Sequence, residues 1–286
     1  MKPYRWALML VLLCGQAKVS AVAPSDLLRE LGPVEFETKS EFSHIRVRRN
    51  GDVRTIVFVR DGGQEIGETK INISKPHELL IPYTQSMFAS YLVRPEQKRV
   101  LIVGLGGGAM VQFLKHHEPD LKIDAVEIDV AVVKIAAEYF DTKPSENVRI
   151  FTEDGFEYFK TTKDKYDVIY MDAFLKPSRG TDSTGVPLNL KTIEFYKSVQ
   201  TKLNPDGLVV FNLNPGKTLR NDINTIRKAF PVTYTFRVAS SKNLVAVATT
   251  SPRRKRTTEL APVARDLDAR FQANFSFQKM LRLLTR

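Results

Sequence analysis

The stretch Lys98-Arg99-Val100-Leu101-Ile102-Val103-Gly104-Leu105-Gly106-Gly107-Gly108-Ala109-Met110 decides the fold, because it reads as strand, glycine loop and helix in succession. Val100 to Val103 is the unbroken aliphatic run expected of a parallel strand buried on both faces. Gly104, Gly106, Gly107 and Gly108 permit positive φ and leave bare main chain for a ligand, and Val111, Phe113 and Leu114 begin an apolar helical face. Such a loop suits a nucleotide or nucleoside, but it also serves strand-to-helix packing with no ligand, so the following residues decide between the two. A second strand, Lys122 to Val126, runs into Glu127-Ile128-Asp129, placing an acid about 20 residues beyond the loop, where a Rossmann-type fold binds a ribose. Glu127 is the ribose candidate.

Outward from this centre, residues 96–250 alternate strand and helix. Strands are expected at Val100–Val103, Lys122–Val126, Val148–Phe151, Val168–Met171, Leu208–Phe211, Thr233–Phe236 and Leu244–Ala248, with helices at Met110–His117, Val130–Phe140, Phe156–Thr161, Leu190–Leu203 and Leu219–Ala229. The class is α/β, a Rossmann-like doubly wound sheet of seven strands, nucleoside-binding, of the methyltransferase type. Residues 24–95 read as a small β-hairpin domain with a linking helix. Glu41 to Arg48 alternates, Asn50-Gly51 is a two-residue hairpin turn, Val53 to Val59 returns, Thr69 to Ile73 adds a strand, and His77 or Glu78 opens a helix that runs to Leu92.

The ends carry different signals. Lys2 and Arg5, the apolar Ala7 to Leu13 and the small residues before Ala23 read as a signal peptide over residues 1–23, too short to span a bilayer, so export to the periplasm or beyond is expected. If it is not cleaved, the protein is cytoplasmic or membrane-associated. The chain's one cysteine, Cys14, lies in this segment, so the mature chain would have neither disulfide nor thiol nucleophile. Residues 251–286 hold Arg253-Arg254-Lys255-Arg256 and an amphipathic helix with Leu260, Val263, Leu267, Phe271, Phe275, Met280, Leu281 and Leu284. That helix suits docking on the main domain or weak contact with a membrane surface. The formal charge of +11 is otherwise scattered, the pattern of a solvated surface rather than a nucleic-acid site.

Three carboxylates at strand ends carry the chemistry. In an open α/β sheet the ligand lies beyond the carboxyl ends of the strands, which gathers Glu127, Asp154 and Asp172. Asp154, followed by Gly155, suits both an adenine amino group and the cap of the helix from Phe156. Asp172 ends the Tyr166 to Met171 run, where a substrate would meet a bound nucleoside, and is the catalytic candidate. The long connection from Lys176 to Pro187 reads equally as a gate or as a plain surface loop. His44, His77, His116 and His117 lack metal-ligand spacing and are taken as surface residues, so no metal is expected.

The succession Val-Leu-Ile-Val-Gly-Leu-Gly-Gly-Gly, Val126-Glu127-Ile128-Asp129, Glu153-Asp154-Gly155 and Tyr166-Asp167-Val168-Ile169-Tyr170-Met171-Asp172-Ala173-Phe174 resembles the spermidine synthase family. The resemblance reaches back to Asp61-Gly62-Gly63-Gln64 and Tyr83. It implies an adenosyl sulfonium co-substrate, either decarboxylated S-adenosylmethionine giving an aminopropyl group to a diamine or S-adenosylmethionine giving a methyl group. It also implies ribose on Glu127, adenine on Asp154, proton acceptance by Asp172, a small-molecule acceptor near Gln64 and Tyr83, and a homodimer through the β-domain. Two departures stand out: Gly107 replaces an aspartate of the synthases' glycine loop, and Leu175 replaces a second acid beyond Asp172. Loss of two amine anchors favours methyl transfer from S-adenosylmethionine, whose carboxylate a loop acid would repel. Aminopropyl transfer is the alternative, and a non-catalytic ligand-binding protein the second alternative.

Overall fold

The computed structural model describes residues 30–175 and 179–285. The expected signal peptide with Cys14, and Lys176 and Pro177 of the long connection, lie outside these residues.

Four strands, β1 (Val34–Lys39), β2 (His44–Asn50), β3 (Val53–Val59) and β4 (Glu65–Asn72), form an antiparallel sheet in sequence order. Asn50 and Gly51 turn β2 into β3, with Gly51 at φ 58°. The strand expected from Glu41 begins at His44, because Ser40 to Ser43 close a turn whose Ser40 amide donates to the Ser43 carbonyl. β4 starts at Glu65, four residues before the expected Thr69, and carries a bulge: Ile56 pairs with Thr69 and Val57 with Gly67. The single helix expected up to Leu92 is two short ones, α1 (Pro82–Met87) and α2 (Ser90–Val93). Pro82, with fixed φ and no amide hydrogen, sets the start of α1.

The rest of the chain builds the large layer: β5 (Arg99–Val103), α3 (Ala109–His117), β6 (Lys122–Glu127), α4 (Val130–Tyr139), β7 (Val148–Thr152), α5 (Gly155–Thr161), β8 (Tyr166–Met171), α6 (Ile193–Gln200), β9 (Leu203–Leu213), α7 (Leu219–Ala229), β10 (Val232–Arg237) and β11 (Leu244–Thr249). Their spatial order is β10-β11-β9-β8-β5-β6-β7. β7, β6, β5, β8 and β9 run parallel, and β11 runs against both β9 and β10. This is a Rossmann-like sheet of the methyltransferase type. Strand order reverses beside β5, whose successor β6 lies on one side and β8 on the other, and such a switch point opens a crevice at the carboxyl ends. The helix expected over Leu190–Leu203 is shorter: a 3₁₀ turn at Leu188–Lys191 precedes it, the Thr192 hydroxyl caps α6 by accepting from the Phe195 amide, and β9 claims Leu203.

The C-terminal helix is also two, α8 (Thr257–Phe271) and α9 (Phe277–Arg282), broken where Gln272 takes left-handed φ 46° and Ser276 caps the second. Leu260, Ala264, Leu267 and Phe271 are buried, with the Phe271 ring 4.9 Å from Tyr91 and 5.7 Å from Phe113. Arg254 donates to the Thr233 carbonyl, and Lys255 Nζ to the Val93 carbonyl. The face a lipid surface would need is therefore packed inside the fold, and no helix among the described residues is long and apolar enough to cross a membrane.

The histidines are less scattered than their spacing implies. His77 stacks on His116 at 3.8 Å and His117 stands edge-on to both, where burial and its two neighbours hold its pKa down to about 4.

Candidate functional site

The carboxyl ends of β5, β6, β7 and β8 open into one cavity of about 510 Å³, walled on the far side by β4 and α1 and roofed by the connection after β8. Gly104 ends β5 at φ 97°, and a Cβ there would fall 2.3 Å from the Asp172 carbonyl oxygen, so only glycine lets the β5 and β8 ends approach this closely. Gly106 and Gly108 also line the cavity, whereas Gly107 does not. Its amide donates to Thr69 Oγ1 at 3.0 Å, its carbonyl accepts from Thr142 Oγ1 at 2.9 Å, and a Cβ would press on Thr69 Cγ2 and the Phe140 ring. The expectation that Gly107 faces a ligand is thus corrected: it pins the glycine loop to β4.

Glu127 lines the cavity at the end of β6, Oε2 accepting from the Leu105 amide at 2.9 Å and Oε1 from the Asp129 amide at 3.0 Å. Burial nevertheless raises its pKa. Asp129 is buried, caps α4 through the Ala131 amide and accepts from Ser40 Oγ at 2.5 Å, which ties the small sheet to the large one. Asp154 caps α5, accepting from the Phe156 amide at 2.7 Å, and lines the cavity together with Gly155.

Asp172 stands one residue past β8. Its Oδ1 accepts from Asn212 Nδ2 at 2.9 Å, and the Tyr83 hydroxyl donates to the same carboxyl group. Burial outweighs both hydrogen bonds and pushes its pKa up to about 7. Tyr83 is held well above its ordinary value by burial, then by the charges of Asp172 and Glu68. Asn212 is itself oriented, because Asn243 Nδ2 donates to its Oδ1 at 3.1 Å, leaving Nδ2 to face Asp172.

Gln64 is not in the site. It is exposed in the β3–β4 turn, its carbonyl accepting from the Arg60 amide, and it does not line the cavity. Glu68, four residues on, lines the cavity instead and was not legible as a site residue. Asn212 was also missed, although a polar residue inside the apolar run Val209-Val210-Phe211-Asn212-Leu213 is the signal that could have found it. The connection after β8 folds over the cavity: Phe174, Leu175, Gly180, Thr181 and Leu188 line it. Asp182 anchors this roof through Thr184, Val186 and Lys191, and Lys191 reaches on to Asp222. Arg179 points to solvent. Among the described residues no three His, Cys, Asp or Glu side chains are grouped to hold a metal ion. The arrangement offers bare main chain and acids for a nucleoside, and a proton acceptor near neutrality in a roofed, largely apolar chamber.

Residues 83–241 match the family model described as the spermine/spermidine synthase domain. A polyamine aminopropyltransferase of Vibrio vulnificus is 29% identical over 235 residues, 81% of this chain and 74% of that protein. A probable polyamine aminopropyl transferase of Bifidobacterium longum is 32% identical over 181 residues, 63% of this chain but 37% of that longer protein. The spermidine synthase of Thermotoga maritima superposes with a TM-score of 0.65 at 21% identity, over 88% of this chain and 84% of that one.

Proposed function

The chain belongs to the spermine/spermidine synthase family, and from that premise we propose that it transfers an aminopropyl group from decarboxylated S-adenosylmethionine to a small amine. The observation that carries this reading is Asp172: a carboxyl group with pKa about 7, held by Tyr83 and Asn212 in the same cavity as the glycine loop. A general base works best when its pKa lies near the working pH.

The cavity fits the adenosyl part of the donor, since Gly104, Gly106 and Gly108 present bare main chain to it and Glu127 and Asp154 stand along its edge. Gly104, Gly106, Gly108, Glu127 and Asp154 would hold that part. When bound, the sulfonium supplies an activated carbon and a thioether leaving group. The protein's own work is alignment, exclusion of water by Phe174, Leu175, Thr181 and Leu188 of the roof, and removal of one proton from the acceptor amine by ionised Asp172. Of these, alignment contributes most, up to about 7–11 kcal/mol in favourable cases, and proton removal about 10²–10⁴-fold in rate. Tyr83 and Asn212 fix the carboxylate so that one oxygen stays directed at the acceptor.

Methyl transfer from S-adenosylmethionine is the second reading, favoured by Gly107 and Leu175, which leave two positions neutral where the synthases this chain resembles carry acids. Product analysis separates the two. Incubation with both donors and a panel of diamines is expected to release 5′-methylthioadenosine from the decarboxylated donor. Release of S-adenosylhomocysteine alone would replace this reading with methyl transfer.

A further inference from the structure

Five carboxylates line the cavity, and three of them are occupied by main-chain amides: Glu127 by Leu105 and Asp129, Asp129 by Ala131, Asp154 by Phe156. Asp172 has side-chain donors only. Glu68 differs from all four, because among the described residues no hydrogen bond or ion pair reaches its carboxylate, and Arg60 acts on it only through space.

Its position is built rather than incidental. Thr69 pairs with Ile56 and Gly67 with Val57, so Glu68 is the extra residue of the β4 bulge and has no partner on β3. A bulge re-aims a side chain out of the strand's alternation. Here it turns Glu68 onto the cavity wall beside Thr69, the residue that pins the glycine loop. Glu68 also borders the recess that continues under Phe174 and Leu175. Within this wall Glu68 and Asp172 are close enough for each to raise the Tyr83 pKa, and for Asp172 to raise that of Glu68, which burial and this repulsion bring to about 7. Two neighbouring carboxylates in an apolar chamber are unfavourable until a cation joins them. A neutral nucleoside brings no positive charge to offset that pair.

We infer that Glu68 and Asp172 together form a two-carboxylate clamp for a primary ammonium group inside the cavity. The inference rests on the proposed aminopropyl transfer and deepens it: the ammonium belongs to the acceptor diamine or to the aminopropyl tail of the decarboxylated donor. The clamp makes Glu68 a specificity residue for cationic over neutral or zwitterionic ligands.

The test is calorimetric, on the full chain and on Glu68→Gln, which keeps size and shape. The probes are 5′-methylthioadenosine, decarboxylated S-adenosylmethionine and, with 5′-methylthioadenosine bound, 1,4-diaminobutane and 1-aminobutane. Glu68→Gln is expected to leave 5′-methylthioadenosine affinity within about twofold and to weaken an ammonium probe by about ten- to a hundredfold, the range of a hydrogen bond to a charged group. A loss confined to 1,4-diaminobutane assigns the ammonium to the acceptor, and a loss on the decarboxylated donor assigns it to the donor. Unchanged affinity of Glu68→Gln for every ammonium probe overturns the clamp. So does equal loss of 5′-methylthioadenosine, which would mark Glu68 as merely structural. A wild-type chain that binds no 5′-methylthioadenosine overturns the proposed function itself and takes the clamp with it.

Discussion

Asp172 links residue chemistry to a pH profile. Its folded pKa, about 7, lies above the ordinary carboxylate value, so burial favours the protonated form. Two consequences of definite sign follow. As a base it must be ionised, so kcat/KM should rise as pH climbs through about 7 and level off above it, the apparent value belonging to Asp172 and Glu68 jointly. Its contribution to stability runs the other way: present below the ordinary carboxylate range, it is lost as pH rises through about 7. Asp172→Asn should lower kcat by about 10²–10⁴-fold and flatten the rising limb, checked by steady-state rates from pH 5 to 9. An unchanged limb in Asp172→Asn would assign the base elsewhere. This residue was legible in the sequence because it ends an apolar strand, a position that needs no knowledge of distant contacts. Glu68 was not, because nothing local distinguishes it from Glu65, which lies in the same strand and is taken up by Arg46 and Arg48.

Among the elements, β4 matters more than its sequence announces. It supplies Glu68 through its bulge and Thr69 through its pairing, and Thr69 is the direct hydrogen bond from the small sheet to the glycine loop. Thr69→Val removes the oxygen that accepts from the buried Gly107 amide, a change worth about 1–3 kcal/mol. A fall in the denaturant midpoint is therefore expected together with weaker 5′-methylthioadenosine binding. Unaltered binding would show that the loop holds its shape without β4. The bulge escapes sequence reading because register is set by the partner strand, and the four-residue error at the start of β4 and the choice of Gln64 share that cause. β1 was missed for a different reason: its alternation is short and weak, an edge strand in which Val34 is exposed and only Phe36 and Thr38 are half-buried between Glu35, Glu37 and Lys39. The helices broken at Phe88–Ala89 and at Gln272 show the limit of periodicity, which runs on across a break when the apolar face continues.

At the scale of the whole molecule, the large sheet and its site were largely readable, since strand ends gather acids at one edge whatever the distant packing. The small sheet's contribution was not readable, because it reaches the site through contacts such as Ser40 with Asp129 and Thr69 with Gly107, 89 and 38 residues apart. The resulting chamber is lined by Glu127, Asp129 and Asp154 as well as by the Glu68–Asp172 pair. A donor with a cationic tail should suit it better than one bearing a carboxylate, which those two acids would repel. The most direct measurement is calorimetric titration of the full chain with decarboxylated S-adenosylmethionine and S-adenosylmethionine, repeated on Glu127→Ala. Tighter binding of the decarboxylated donor, with both donors weakened in Glu127→Ala, is the expected result. Tighter binding of intact S-adenosylmethionine, or full affinity in Glu127→Ala, would contradict the account.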